Sequence, residues 1–108
     1  MTEKHNIWWV YSTFPNKEEA LSVCGKLLEE RLIACANLLP EMTAVYRWQG
    51  QVQQGTETAV LMKTTQLQTA SVIARVKNLH SYELPCIMAL PLPEGFAPFM
   101  QWVAEETT

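Results

Sequence analysis

The run from Met42 to Trp48 places Met42, Ala44, Tyr46 and Trp48 on one side of an extended chain and Thr43, Val45 and Arg47 on the other. A period of two is the mark of a strand. Alternation resumes from Thr56 to Thr64, with Val60 and Met62 on one side. The Gln-rich stretch Gly50 to Gly55 between them reads as a turn. These segments predict a hairpin longer than a chain of 108 residues can cover with its own side chains. Its tip is expected to reach a neighbouring subunit.

Composition supports that expectation. Charged residues make up 18% of the chain, against about 25% in an ordinary soluble domain. Four Trp, three Phe and five Met overfill a single small core. Part of the surface is therefore expected to lie against other chains. The net charge of −3 gives no footprint for phosphate-backbone binding. No apolar run approaches the roughly 20 residues of a membrane span. Met1 to His5 leads into Ile7-Trp8-Trp9-Val10-Tyr11, too short an apolar run for a secretory leader. Three cysteines, none in a CxxC pair, suit free thiols in a reducing compartment, so a cytoplasmic location is expected.

The remaining elements follow from period and punctuation. Ile7 to Tyr11 suits a buried strand. Asn16 precedes Lys17-Glu18-Glu19 as a helix start of the capping-box kind, and Leu21, Cys24, Leu27, Leu28 and Leu32 share one helical face. Ile33 to Leu39 reads as a central strand with a bulge or bend at Pro40. Leu67, Ala70, Ile73, Ala74 and Val76 mark a second helix, with Thr65 as its cap. Ile87 to Leu90 is a short strand stopped by Pro91, and Phe96, Phe99, Met100 and Val103 mark a last helix. The order predicts a single domain over residues 1–108 of the α+β class: a ferredoxin-like βαββαβ sandwich with an extended β-hairpin and a C-terminal helix.

Ala34-Cys35-Ala36-Asn37, Tyr46-Arg47-Trp48-Gln49-Gly50, Lys63-Thr64 and His80-Ser81-Tyr82-Glu83-Leu84-Pro85 occur in that order and spacing. From about Ile7 to Trp102 the chain resembles the CutA family of divalent-cation tolerance proteins. The resemblance implies a tight homotrimer with hairpins packed between neighbours, similar in architecture to PII-type signalling trimers. It also implies an association with Cu2+ or another divalent cation, and the leading expectation is a protein that binds without turnover. Bacterial relatives place a Cys near the end of the first strand and one or two His before a Pro-Tyr or similar pair. Those positions are Ser12 and Leu79-His80 here, with Ser81 where Pro is usual. Cys86 stands where an acidic residue is common. His80 is thus the one metal-ligand candidate with a strong donor, Ser12 a poor donor at a ligand position, and Cys86 a weaker candidate. A copper or zinc site needs three or four N or S donors.

Each candidate also has a plainer role. His80, at the end of the second helix, can hydrogen-bond the last helical carbonyls. Cys24 and Cys35 read as packing residues on a helix face and in a buried strand. A Cys86 nucleophile would need His80 within reach and a third group such as Glu83 to orient it. Tyr46, Trp48, Tyr82 and Trp102 suit a subunit interface or cleft. Glu57 and Lys63 share a strand face, ready for an interchain ion pair or a charged cleft lining. Lys17, Glu18, Glu29, Glu30 and Arg31 read as a solvated helix face. Three functions follow: a trimeric metal-binding tolerance protein, a PII-like module for a protein partner or small effector read through Gln49 to Gln54, and a hydrolase of the acylphosphatase kind. Tyr11 to Asn16 supplies neither the Arg nor the Gly of a phosphate cradle, which disfavours the last.

Overall fold

The structure is a computed structural model that describes residues 6–107; Met1 to His5 and Thr108 lie outside the described residues. Its elements are β1 (Ile7–Phe14), α1 (Lys17–Glu29), β2 (Cys35–Trp48), β3 (Gln51–Thr65), α2 (Thr69–Leu79), β4 (Ile87–Leu92) and α3 (Ala97–Glu106). The four strands form one antiparallel sheet in the order β2-β3-β1-β4. That is the ferredoxin-like arrangement expected from the element order.

Alternation along the strands sorts the side chains. Val10 and Phe14 of β1, Val60 and Met62 of β3, and Ala20, Val23, Cys24 and Leu27 of α1 bury together with Val72 and Val76 of α2. Each fully buried Val or Leu contributes about 1.5–3 kcal/mol relative to exposure. α1 starts where Asn16 Oδ1 accepts from the Glu19 N–H at 2.8 Å. It ends at Arg31, in the left-handed region at φ 60°, where Arg31 N–H donates to the Leu28 carbonyl and Leu32 N–H to the Leu27 carbonyl. This closure satisfies the last helical carbonyls and turns Ile33 into the core.

The opposite face of the sheet carries Trp9, Tyr11, Leu39, Leu61, Met88 and Leu90, and it has less cover. α3 touches β3 and β1, and its Val103 is buried outside the helix-side core. Beyond its reach Leu39 is 55% exposed, Met88 60% and Leu90 45%.

The bulge expected at Pro40 is present, as an irregularity between Leu39 and Met42 within a single strand β2. Glu41 takes a left-handed φ of 59° there. Two residues, Pro40 and Glu41, face Thr58 alone, so the bulge switches which residues of β2 share a face. Cys35, Asn37 and Leu39 lie on the outer side before it; Met42, Ala44, Tyr46 and Trp48 lie there after it. Elsewhere the structure departs from the sequence reading in several places. The Gln-rich segment is strand, because Gln51 already pairs with Trp48 and the turn is confined to Gln49 and Gly50. Both have positive φ, 51° and 82°, as a tight hairpin turn matched to strand twist requires. β4 runs through Pro91 to Leu92, which an edge strand allows. Thr65 makes no side-chain cap; a short 3-10 turn over Gln66–Gln68 precedes α2, and Thr69 Oγ1 donates to the Gln66 carbonyl at 2.8 Å. The long hairpin stretches the molecule to 54 × 26 × 22 Å.

Because Asn visits left-handed backbone more readily than Gln, Gln49→Asn is expected to stabilise the hairpin by about 0.5 kcal/mol. Thermal unfolding checks it: the midpoint should rise by roughly 3 °C.

Candidate functional site: the groove between the hairpin and the His80–Cys86 loop

The loop from His80 to Cys86 crosses the end of β1 and is tied down at both ends. At one end, the His80 side chain is buried and stacks on Phe14, ring centroids 4.4 Å apart and 14° from parallel. Its Nε2 lies 2.7 Å from the Thr13 carbonyl oxygen, and its Nδ1 accepts from the Tyr82 N–H at 3.1 Å. A carbonyl only accepts and an amide N–H only donates, so the tautomer carries its proton on Nε2. Glu19 Oε2 stands 3.7 Å from Nδ1 and accepts from the Ser81 N–H at 3.0 Å. At the other end, buried Ser12 Oγ donates to the Cys86 carbonyl at 2.8 Å.

These bonds decide what the ligand positions can do. His80 is not spent on the last carbonyls of α2, as the plainer reading expects: only its backbone N–H caps that helix, to the Val76 carbonyl at 2.9 Å. Nε2 holds the loop to β1, and Nδ1 fixes the backbone of Tyr82 within the loop. The Ser12 hydroxyl is likewise engaged. Among the described residues no group of three or more His, Cys, Asp or Glu side chains could hold a metal ion. The donor set of one chain therefore does not fit a copper or zinc site. Nor does Cys86 resemble an activated nucleophile, since burial and the nearby Glu57 carboxylate raise its thiol pKa where a reactive thiolate needs it lowered.

What the tied loop builds is a groove of about 500 Å³. One wall is the outer side of the hairpin after the bulge, with Ala44, Tyr46, Trp48, Gln53 and Glu57; the other is Tyr82 to Leu84 with Cys86, and Thr13 closes the floor. Tyr82 donates its hydroxyl to Glu57 Oε2 at 2.8 Å across the groove. Burial, followed by that bond, pushes the Tyr82 phenol well above its usual range. Sequence reasoning thus chose Tyr46, Trp48, Glu57, Tyr82 and Cys86 separately, and the fold brings all five together.

It leaves the other two outside. Lys63 is buried and donates Nζ to Asn37 Oδ1 of its own chain. Trp102 lies on α3 against Phe99, ring centroids 5.7 Å apart. Leu84 and Gln53 complete the lining without a signal in the sequence, because only the return of the loop beside the hairpin makes them neighbours. Cys35 is half-buried, not in the core as read, since its parity puts it on the outer face opposite Lys63. Glu30, read as solvated, forms a two-toothed pair with Arg75, Nη2 to Oε2 at 2.8 Å and Nε to Oε1 at 3.0 Å.

A ferredoxin-like domain with a long bulged hairpin and an aromatic groove along its outer side is the architecture these residues define. The family model "CutA1 divalent ion tolerance protein" matches residues 8–106, and the chain belongs to that family. The divalent-cation tolerance protein CutA of Thermus thermophilus is 43% identical over 91% of this chain and 95% of its own. The crystal structure of divalent ion tolerance protein CutA1 from Ehrlichia chaffeensis superposes with a TM-score of 0.93 at 33% identity, covering 98% of this chain and 99% of that one. The structure described as the periplasmic divalent cation tolerance protein CutA from Archaeoglobus fulgidus gives 0.90 at 37% identity, covering 93% and 97%.

Two outcomes are expected. His80→Ala leaves the Thr13 carbonyl and Tyr82 N–H without their partner and opens a void beside Phe14, so urea unfolding should show a loss of about 3 kcal/mol. Cys24, buried under α1, has its thiol pushed up from 9.0 to about 11. Its folded form resists ionisation, so stability is intact below pH 9 and falls as pH rises towards 11, by about 2 kcal/mol. Cys24→Ala should flatten that alkaline slope in denaturation curves recorded across the same pH range.

Proposed function

We propose that this protein acts in divalent-cation tolerance as a homotrimer, through binding and without turnover. The observation that carries this reading is the outer face of the sheet. Leu39, Met88 and Leu90 are left exposed on it, beside a hairpin that extends past the core. An apolar face of that kind marks an association surface, and membership of the CutA1 family supports three copies. No helix of the described residues is long and apolar enough to cross a membrane. We place the protein in the cytoplasm on its three free thiols; the Archaeoglobus fulgidus relative is described as periplasmic.

The engaged nitrogens of His80 favour response to a bound effector over storage of copper on one chain. The second reading, a PII-like module for a small effector or protein partner, draws on the groove and on the exposed Gln51, Gln53 and Gln54 of the hairpin. Light scattering should give three times the chain mass, and Met88→Glu with Leu90→Glu should shift it towards one. Calorimetry with Cu(II) should give the same weak isotherm for the wild type and His80→Gln. Tight stoichiometric binding lost in that variant would restore His80 as a ligand.

A further inference from the structure

We propose that the groove receives the hairpin tip of a neighbouring copy, with Arg47 of that copy paired to Glu57; the proposal rests on the homotrimer reading above. The shape of the groove is the first observation. By the register, the six residues from Gln51, opposite Trp48, to Glu57 set its length at about 20 Å. That suits an extended segment of chain, whereas a compact molecule would touch one end only. Its aromatic wall, Tyr46 and Trp48, is exposed in the single chain and is covered once such a segment lies in it.

The second observation is charge. Glu57 is half-exposed, and its bonded partner is the neutral Tyr82 hydroxyl at 2.8 Å. Glu83 adds a second carboxylate to the lining. The ion pairs among the described residues, Arg75 with Glu30 and His80 with Glu19, do not involve Glu57. A carboxylate drawn partly out of water without a countercharge calls for a cation. Lys17 and Lys26 lie on α1 and Lys77 on α2, on the covered face of the sheet. Arg31 reaches the Glu105 carbonyl, and Lys63 is buried on Asn37. Arg47 remains, exposed near the hairpin turn and outside those ion pairs. It does not serve Glu57 of its own chain. It borders the groove at the tip end, and its ladder partner Val52 stands five residues, about 17 Å, from Glu57. The guanidinium of a second copy has no such limit.

The third observation is the surface around Arg47. The register puts Val45 and Val52 on the same side of the hairpin as Arg47, away from Tyr46 and Trp48. Both are open to solvent, 66% and 67% exposed. The tip therefore offers an apolar pair beside a guanidinium, and the groove offers an aromatic wall beside a carboxylate. Arginine suits that seat, because its planar fork meets a carboxylate with two N–H groups and lies flat on aromatic rings. Tip and groove are different parts of one chain, so the contact is head-to-tail. Such contacts close into rings when the rotation between copies allows. Each copy gives its tip to one neighbour and receives the tip of another, and the groove is incomplete without the second copy.

Light scattering over a dilution series of the full-length protein reads the contact. Arg47→Glu and Glu57→Arg should each raise the concentration at which the assembly dissociates by about tenfold or more. The double variant should return it to within about threefold of wild type, and circular dichroism should match wild type in all three. A direct test uses the native thiol of Cys86, which lines the groove. Val52→Cys treated with glutathione disulfide should give dimer- and trimer-sized bands on a denaturing, non-reducing gel, and adding Cys86→Ser should remove them. Assembly that ignores both charge reversals, a double variant no better than the singles, or no cross-linked bands where the protein is trimeric would overturn the proposal. A wild type that stays monomeric would remove the homotrimer reading and this contact with it, whereas a trimer without the cross-link removes the contact alone.

Discussion

Which side chains the distal half of the hairpin offers to the groove depends on the bulge at Pro40 and Glu41. A strand offers its residues to two faces in strict alternation, and one extra residue exchanges the faces. Proline supplies no N–H for the ladder, and Glu41 adopts left-handed backbone, so the ladder is interrupted there and resumes with opposite parity. Without it Tyr46 and Trp48 would face away from the His80–Cys86 loop, and Val45 and Arg47 would take their places. The aromatic wall of the groove follows from that single insertion.

The second constraint is the pair of ties that hold the loop. The family's ligand positions carry Ser12 and His80 here, and both spend their polar atoms inside the protein. A buried imidazole with one nitrogen donating and the other accepting is a structural staple. It fixes Tyr82, and Tyr82 in turn bridges to Glu57. The same residues that suggest a metal centre in sequence therefore act in this chain to shape a cavity. Lys63 and Thr64 behave alike: Thr64 Oγ1 donates to the Leu32 carbonyl at 2.6 Å, while Lys63 binds Asn37, so this part of the family pattern fastens β3 to β2 and to the turn before it.

The low charge of the chain acquires a location in this arrangement. The helix-covered face of the sheet needs none, and the outer face leaves Leu39, Met88 and Leu90 exposed, as the proposed association requires. The few charges near the groove consequently act without dilution. Among the described residues no cation is paired with Glu57, and its charge helps to raise the proton affinity of Tyr11, Tyr82 and Cys86.

By itself the sequence determined the elements and their order, since hydrophobic period, the Asn16 cap and proline positions are local properties that short stretches carry whole. It also determined the family, through the four separated motifs, and it marked the aromatic residues and Glu57 as cleft or interface material. Only the tertiary structure decided which of them meet. Face parity after Pro40 depends on how the bulge is paired. The strand nature of Gln51 to Gln54 depends on a partner strand, because glutamine runs carry no period. The engagement of His80 depends on the Thr13 carbonyl, distant in sequence and adjacent only once α2 packs on β1. A hydrogen bond between such residues has no local signature, and so the imidazole that reads as a metal ligand in the chain becomes the fastening of a loop in the fold.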